Sequence, residues 1–169
     1  MEEPSFYSRE VPMKGSKKVI SILNSALADE LTAINQYIVH SEMCKDWGYD
    51  ILHEKIEKRA IQEMKHAEEL IGRIIFLEGC PVVSTLNPIH IGDAVEKMMA
   101  NDLTSEYGAI KMYQGHIKTC LELGDAGTRE TLEHILKDEE DHADWLESQL
   151  DQISQMGIQN YLALQLRES

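Results

Sequence analysis

A helical hairpin written twice constrains this chain more than any other feature. Glu30, Glu63 and His66 recur 76 positions on as Glu106, Glu139 and His142. The same offset carries Leu27 to Leu103, Ile34 to Ile110, Tyr37 to Tyr113, Ala67 to Ala143 and Leu70 to Leu146. Polar and apolar residues are thus duplicated together, in register.

The hydrophobic period is helical throughout. Amphipathic segments run at roughly 17–46, 50–78, 93–123 and 126–155, with a short fifth at about 158–166. Trp47-Gly48, Gly79-Cys80-Pro81, Gly124-Asp125 and Gly157 punctuate them. The linker VVSTLNPIHI is the nearest approach to a strand, and Pro88 breaks it. The first and second helices, and the third and fourth, are joined by a few residues each, so each pair is expected to form an antiparallel hairpin. About 14 residues lie between the hairpins, and extended chain covers at most ~3.3–3.6 Å per residue. That reach of ~45 Å matches a 29-residue helix at ~1.5 Å per residue. The expected fold is therefore all-α: a four-helix bundle with one long crossover, helices two and three parallel, and a short C-terminal helix. Residues 1–12, with Pro4 and Pro12, read as a flexible extension ahead of a single domain at 13–169.

Helical phase places the duplicated polar residues inside. Leu23, Leu27, Glu30, Ile34 and Tyr37 form one stripe, and Met99, Leu103, Glu106, Ile110 and Tyr113 form its copy. Residues three apart share a face, so Glu63 points inward with His66, and Glu139 with His142. Four carboxylates in a dry core carry a large desolvation cost unless strong positive charge compensates them. Two divalent cations supply that charge, and carboxylate–imidazole donor sets with open positions suit redox-active iron or manganese. A lone ExxH is usually a surface pair. Two, each following a mid-helix Glu at the same separation, point to a dinuclear metal site, as in ferritin-like bundles generally. Tyr37 and Tyr113 read as core tyrosines whose hydroxyls need partners. Met64 falls about 100° round the helix from Glu63 and should face away from the core, where packing at a subunit contact is the ordinary role for a methionine.

Charge and cysteine content narrow the class. The formal net charge is −14, which disfavours nucleic acid or an anionic membrane as main partner. No window reaches bilayer-spanning apolar length. The opening MEEPSFYSREVPMKG lacks the apolar core of a secretory signal. Three scattered cysteines without a CxxC pair read as free thiols of a cytoplasmic protein.

The stretches MKGSKKVI, DELTAINQY, KDWG, EMKHAEELI, FLEG, DEEDHADWLE and MGIQNYL closely resemble bacterioferritin, over more than nine-tenths of the chain from Met13 onward. The resemblance implies a hollow 24-subunit homo-oligomer built from two-fold dimers and storing ferric mineral. Each subunit would be a ferroxidase, oxidising Fe(II) with peroxide or dioxygen. By position, Glu30, Glu63, His66, Glu106, Glu139 and His142 match the six ligands of two iron ions. Glu63 and Glu139 would bridge, Glu30 with His66 would complete one ion, and Glu106 with His142 the other. Tyr37 matches a tyrosine beside the centre that supplies an electron. Met64 matches the axial ligand of a haem b shared between two subunits, an arrangement only an isologous contact provides. A small ferredoxin is the reductant expected by analogy. Some members carry a cavity-facing His and Asp just ahead of EMKH. Lys58-Arg59-Ala60-Ile61-Gln62 holds neither, so the resemblance does not carry that inner iron site over. The ligand set by itself also suits a soluble di-metal redox enzyme, or a helical assembly protein holding zinc; the cage resemblance is what favours storage. His40, His53, His90, His116 and His134 lack a repeat partner and read as surface or core residues.

Overall fold

The computed structural model describes residues 15–167. The expected extension at 1–12 lies outside the described residues. The elements are α1 (Lys17–Asp46), α2 (Asp50–Phe76), α3 (Val95–Leu123), α4 (Ala126–Met156) and α5 (Ile158–Ala163). All regular structure among the described residues is helical. The boundaries lie within about two residues of those expected, apart from α5. That helix stops at Ala163 because Leu164 N–H turns back to Tyr161 at 3.1 Å, in a tighter turn.

Local chemistry sets the helix ends. Ser16 caps α1 by accepting the Val19 N–H at 3.0 Å. Asp125 caps α4 by accepting from Thr128 N–H at 2.9 Å, and Arg73 of α2 donates to the same carboxylate at 2.9 Å. Gly124, at φ 69°, takes the left-handed conformation that ends α3, which a residue with a Cβ adopts only at a cost.

Helix α1 packs along α2 and α3 along α4, while α1 also meets α3. Residues 77–94 form the crossover, and side chains of α1 hold it. Asn24 donates to Cys80 O and accepts from Val82 N–H, Thr32 accepts from Asn87 N–H, Gln36 from His90 N–H, and His40 Nε2 from Gly92 N–H. As the linker advances from residue 80 to 92, its partners advance along α1 from 24 to 40. The crossover therefore runs parallel to α1 and delivers α3 antiparallel to it, which leaves α2 and α3 parallel as expected. Gly92 is required at the end of this path: a Cβ there would lie 2.4 Å from Met98 N.

His40 is a structural residue. Its Nε2 accepts the Gly92 proton, so its Nδ1 donates to Asp102 at 2.9 Å, and Gln36 donates to the same carboxylate at 2.8 Å. This buried trio joins α1, α3 and the crossover.

The core is split in two. One apolar cluster gathers Leu23, Leu27, Leu70, Ile74, Leu132 and Ile135. The other gathers Leu52, Ile56, Met98, Met99, Leu146 and Tyr161. A polar layer lies between them. Each fully buried leucine or isoleucine stabilises the fold by roughly 1.5–3 kcal/mol. The layer offers nothing comparable, so the middle of the bundle is built for something other than stability.

Candidate metal centre

Each long helix sends residues into this layer: Glu30 from α1, Glu63 and His66 from α2, Glu106 from α3, Glu139 and His142 from α4. The four glutamates and His66 are at most 3% exposed. His66 Nδ1 lies 3.1 Å from Glu63, 3.2 Å from Glu139 and 3.4 Å from Glu30. Its Nε2 lies 3.0 Å from Asp138. His142 Nδ1 lies 2.6 Å from Glu106.

The donor atoms fall into two overlapping groups, each with its atoms within 4.8 Å of one another: Glu30, Glu63, His66 and Glu139, then Glu63, Glu106 and His142. Glu63 belongs to both. Glu139 belongs to the first only, its Oε2 being turned toward Arg59. The tyrosines cross over, Tyr37 donating to Glu106 and Tyr113 to Glu30. The sequence repeat thus becomes a spatial pseudo-twofold.

Burial raises the affinity of every one of these carboxyls for protons. Glu106 and Glu139 are pushed up to about 7, burial being the main cause, and the Glu106 charge raises Glu139 further. Glu30 is raised by burial, and Glu63 by burial and then by Glu139 and Glu30. The two histidines diverge. Burial disfavours the imidazolium at His66, but hydrogen bonds to Glu139, Glu30 and Glu63 outweigh it and raise the group well above its ordinary range. His142 is lowered to about 3 by burial and then by the nearby Arg59 charge. Both tyrosines are raised by burial and by the glutamate each serves, so they remain neutral donors.

Two residues of the site escaped the sequence reading. Arg59 is 6% exposed, and its Nη2 lies 2.5 Å from Glu63, 2.7 Å from Glu139 and 3.5 Å from Glu106. It sits four residues before Glu63 on α2, a spacing that places both on one face, so the signal was present. The repeat hid it, because the counterpart of Arg59 is Ile135. Asp138 holds the outer nitrogen of His66, while its counterpart, Gln62, carries no charge. Imidazoles that bind metals commonly donate their second N–H to a carboxylate in this way. On the other side, His142 stacks on Trp145 with ring centres 5.8 Å apart.

The donor set fits divalent metal. One oxygen of each of Glu30, Glu63, Glu106 and Glu139 is buried without a well-directed hydrogen bond among the described residues. Its nearest cationic neighbour is the single Nη2 of Arg59 or Nδ1 of His66, each shared among several carboxylates. Four such acceptors in one layer are costly in a closed protein and are what two cations would satisfy. A cavity of about 220 Å³ between α1, α3 and the crossover reaches all four glutamates and supplies an approach. Clefts of about 380 and 260 Å³ open behind His66 and His142 between α2 and α4. A further grouping of Glu42, His53 and Glu57 lies on the surface, where His53 is engaged by Ser41 at 2.9 Å.

Met64 is 46% exposed on the far side of α2, as its phase requires. Ile61, one turn earlier, is also exposed, and α1 adds exposed Ile38 and Val39. Of the unrepeated histidines, His40 is buried while His90 and His134 are exposed. The cysteines are free, Cys44 and Cys120 buried and Cys80 exposed. No helix among the described residues is long and apolar enough to cross a membrane.

A four-helix bundle with a long crossover, carrying a carboxylate–histidine layer across its core, defines the ferritin-like class. The family model described as "Ferritin-like domain" matches residues 20–156. Among curated proteins, the chain is 44% identical over 149 residues to the "Bacterioferritin" of Brucella melitensis biotype 1, covering 88% of this chain and 92% of the relative. It is 41% identical over 152 residues to that of Rhodobacter capsulatus, covering 90% and 94%. The "Bacterial ferritin" of a Synechocystis species is 42% identical over 155 residues, covering 91% and 99%. The chain belongs to the bacterioferritin family.

Proposed function

We propose that this protein is a cytoplasmic iron-storage ferroxidase, taking up Fe(II), oxidising it within each subunit and keeping the ferric product as mineral inside a 24-subunit cage. The buried layer of four glutamates carries this reading: each has one oxygen lacking a well-directed hydrogen bond, and among the described residues all share only Arg59 and His66 as cationic neighbours. Glu30 and His66 would hold one ferrous ion, Glu106 and His142 the other, with Glu63 and Glu139 between them. Two divalent ions balance four carboxylates, so loading removes the charge problem that burial creates. Two ferrous ions give up one electron each, and the pair reduces one peroxide with two protons to two waters; dioxygen is the alternative acceptor.

The surrounding residues have defined parts. Tyr37 fixes Glu106 and Tyr113 fixes Glu30, so the donor oxygens point inward before any ion arrives. Tyr37 is also the side chain placed to supply a further electron, since its ring lies edge-on to His142 with centroids 5.6 Å apart. Asp138 fixes the orientation of His66. The cavity beside the crossover admits substrate to the four glutamates, and the apolar cores on either side keep bulk water out.

Exposed Met64, with Ile61 beside it on one face, would form half of an apolar haem slot completed by the same face of a second subunit. When bound there, haem b supplies an electron-transfer path. A ferredoxin-like reductant is the partner this path suits. The test of the storage reading is ferrous titration of the metal-free assembly, followed by absorbance with the Soret region recorded first. A fast phase saturating near two ions per subunit and then continued mineral growth supports it. Saturation without growth would replace storage by soluble redox catalysis, and no oxidation above background would leave only an inert metal holder.

A further inference from the structure

Arg59 is the feature that the repeat does not explain. Where the second hairpin places fully buried Ile135, the first places a guanidinium in contact with three carboxylates of the site. A guanidinium stays charged under all ordinary conditions, so it cannot become a ligand and can only occupy the place of a cation. That place is specific. Its two nearest partners, Glu63 and Glu139, both belong to the donor group around His66, and Glu63 to the other group as well. What separates the halves is that Arg59 also reaches Glu106 at 3.5 Å and lines the cleft of His142, while Glu30 is not among its contacts.

Arg59 is also incompletely seated. Nη2 makes all three contacts, while the Nε proton is buried with no acceptor among the described residues. Its own wall of the bundle opens into the cleft of about 260 Å³ behind His142, lined by Asp138 and Asp141 and also by Lys55 and Lys58. Arg59 itself lines this cleft, where Asp141 and Asp138 offer it carboxylate partners other than the buried glutamates.

We propose that Arg59 is a built-in cation occupying the Glu106–His142 half of the centre, so that the Glu30–His66 half fills first and the second divalent ion binds only as Arg59 swings out toward Asp138 and Asp141. Charge balance sets the order. One divalent ion plus the guanidinium offsets three of the four carboxylate charges, whereas two divalent ions with Arg59 still inside leave a net positive charge in a dry core. The second ion therefore replaces Arg59 rather than joining it. This device gives the centre a resting form with one ion held, and makes the second position a site of exchange with incoming substrate. The inference rests on the di-metal reading above.

The test is calorimetric titration of the iron-stripped full-length assembly with Co(II), with visible absorption following coordination. Wild type should bind two ions per chain, the second about ten- to a hundredfold more weakly, since displacement breaks hydrogen bonds between charged groups. Arg59→Met should tighten the second ion by that factor and leave the first unchanged, while Arg59→Lys keeps the gap. Arg59→Gln is read in the same way should the Met variant fail to assemble. Two equal sites in wild type, or an unchanged second site in folded Arg59→Met or Arg59→Gln, would overturn the role of Arg59 and leave the di-metal centre standing. No core binding of Co(II) by wild type or any variant would bring down both.

Discussion

The His66 half and the His142 half of the buried layer share a sequence pattern and differ in what surrounds it. His66 faces three carboxylates on one side and Asp138 on the other, and it holds its proton tightly in the metal-free protein. His142 faces Glu106 alone, stacks on Trp145 and is kept neutral by burial and by Arg59. The repeat keeps the two sets of glutamates and histidine in register, and two positions where it is not kept, Arg59 against Ile135 and Asp138 against Gln62, make their surroundings unlike. On the proposed di-metal reading, a pseudosymmetric site of this kind would give two bound ions different tasks without changing any of the six repeated side chains.

The residue common to both halves should matter most. Glu63→Ala is expected to abolish the fast phase of ferrous oxidation, a loss of about a hundredfold or more, because removing even a supporting group commonly costs ten- to a hundredfold. Stopped-flow absorbance reads it, and a variant keeping half the rate would show that the halves work separately. Asp138→Asn comes next. It should weaken Co(II) binding at the His66 half by about ten- to a hundredfold, with a smaller loss at the other half, where Asp141 remains as a partner for Arg59. An equal loss at both would break the comparison.

The pH dependence of stability sharpens it further. Glu106 and Glu139 hold protons up to about 7, against 4.5 in an unfolded chain. The folded state then binds more protons than the unfolded state, so this stabilisation is complete below about 4.5 and lost as pH rises through about 7. Metal-free protein should therefore have a higher Tm at pH 6 than at pH 8. With Co(II) bound, the contribution of these two groups should vanish, because they are ionised throughout. A metal-free Tm that rises over this interval would contradict the assignment of Glu106 and Glu139.

The smallest effect concerns the tyrosines. Tyr113→Phe leaves Glu30 Oε1 without its donor, at a cost of roughly 1–3 kcal/mol in the metal-free state. Tyr37→Phe should cost less, since His142 still donates to the same oxygen of Glu106. Chemical denaturation of both variants orders them, and the reverse order would mean that His142 does not support Glu106.

The sequence made the bundle legible because periodicity, turn residues and linker length agree on one topology. Glu30, Glu63, His66, Glu106, Glu139 and His142 were legible because the repeat marked them, and the outward direction of Met64 followed from one step of helical phase. Arg59 was not legible by the same route. Repetition flags what two halves share, and Arg59 is what they do not. Its inward direction followed from its i,i+4 spacing to Glu63, but its contacts with Glu106 and Glu139 on α3 and α4 are tertiary facts. Asp138 was hidden similarly: it is next to Glu139 in the chain, yet reaches His66 across the gap between α4 and α2. The crossover was expected from its length alone. Its anchoring by Asn24, Thr32, Gln36 and His40 required the packed structure, because sequence does not say which polar side chains of α1 face the linker.

Anomalous diffraction at the iron edge, from crystals of the full assembly soaked anaerobically in ferrous iron, tests the central claim most directly. Two peaks in each subunit are predicted, both within the layer formed by Glu30, Glu63, His66, Glu106, Glu139 and His142, with the peak beside His66 the stronger at limiting iron. Iron found only on the acidic surface, with the buried layer empty, would contradict it.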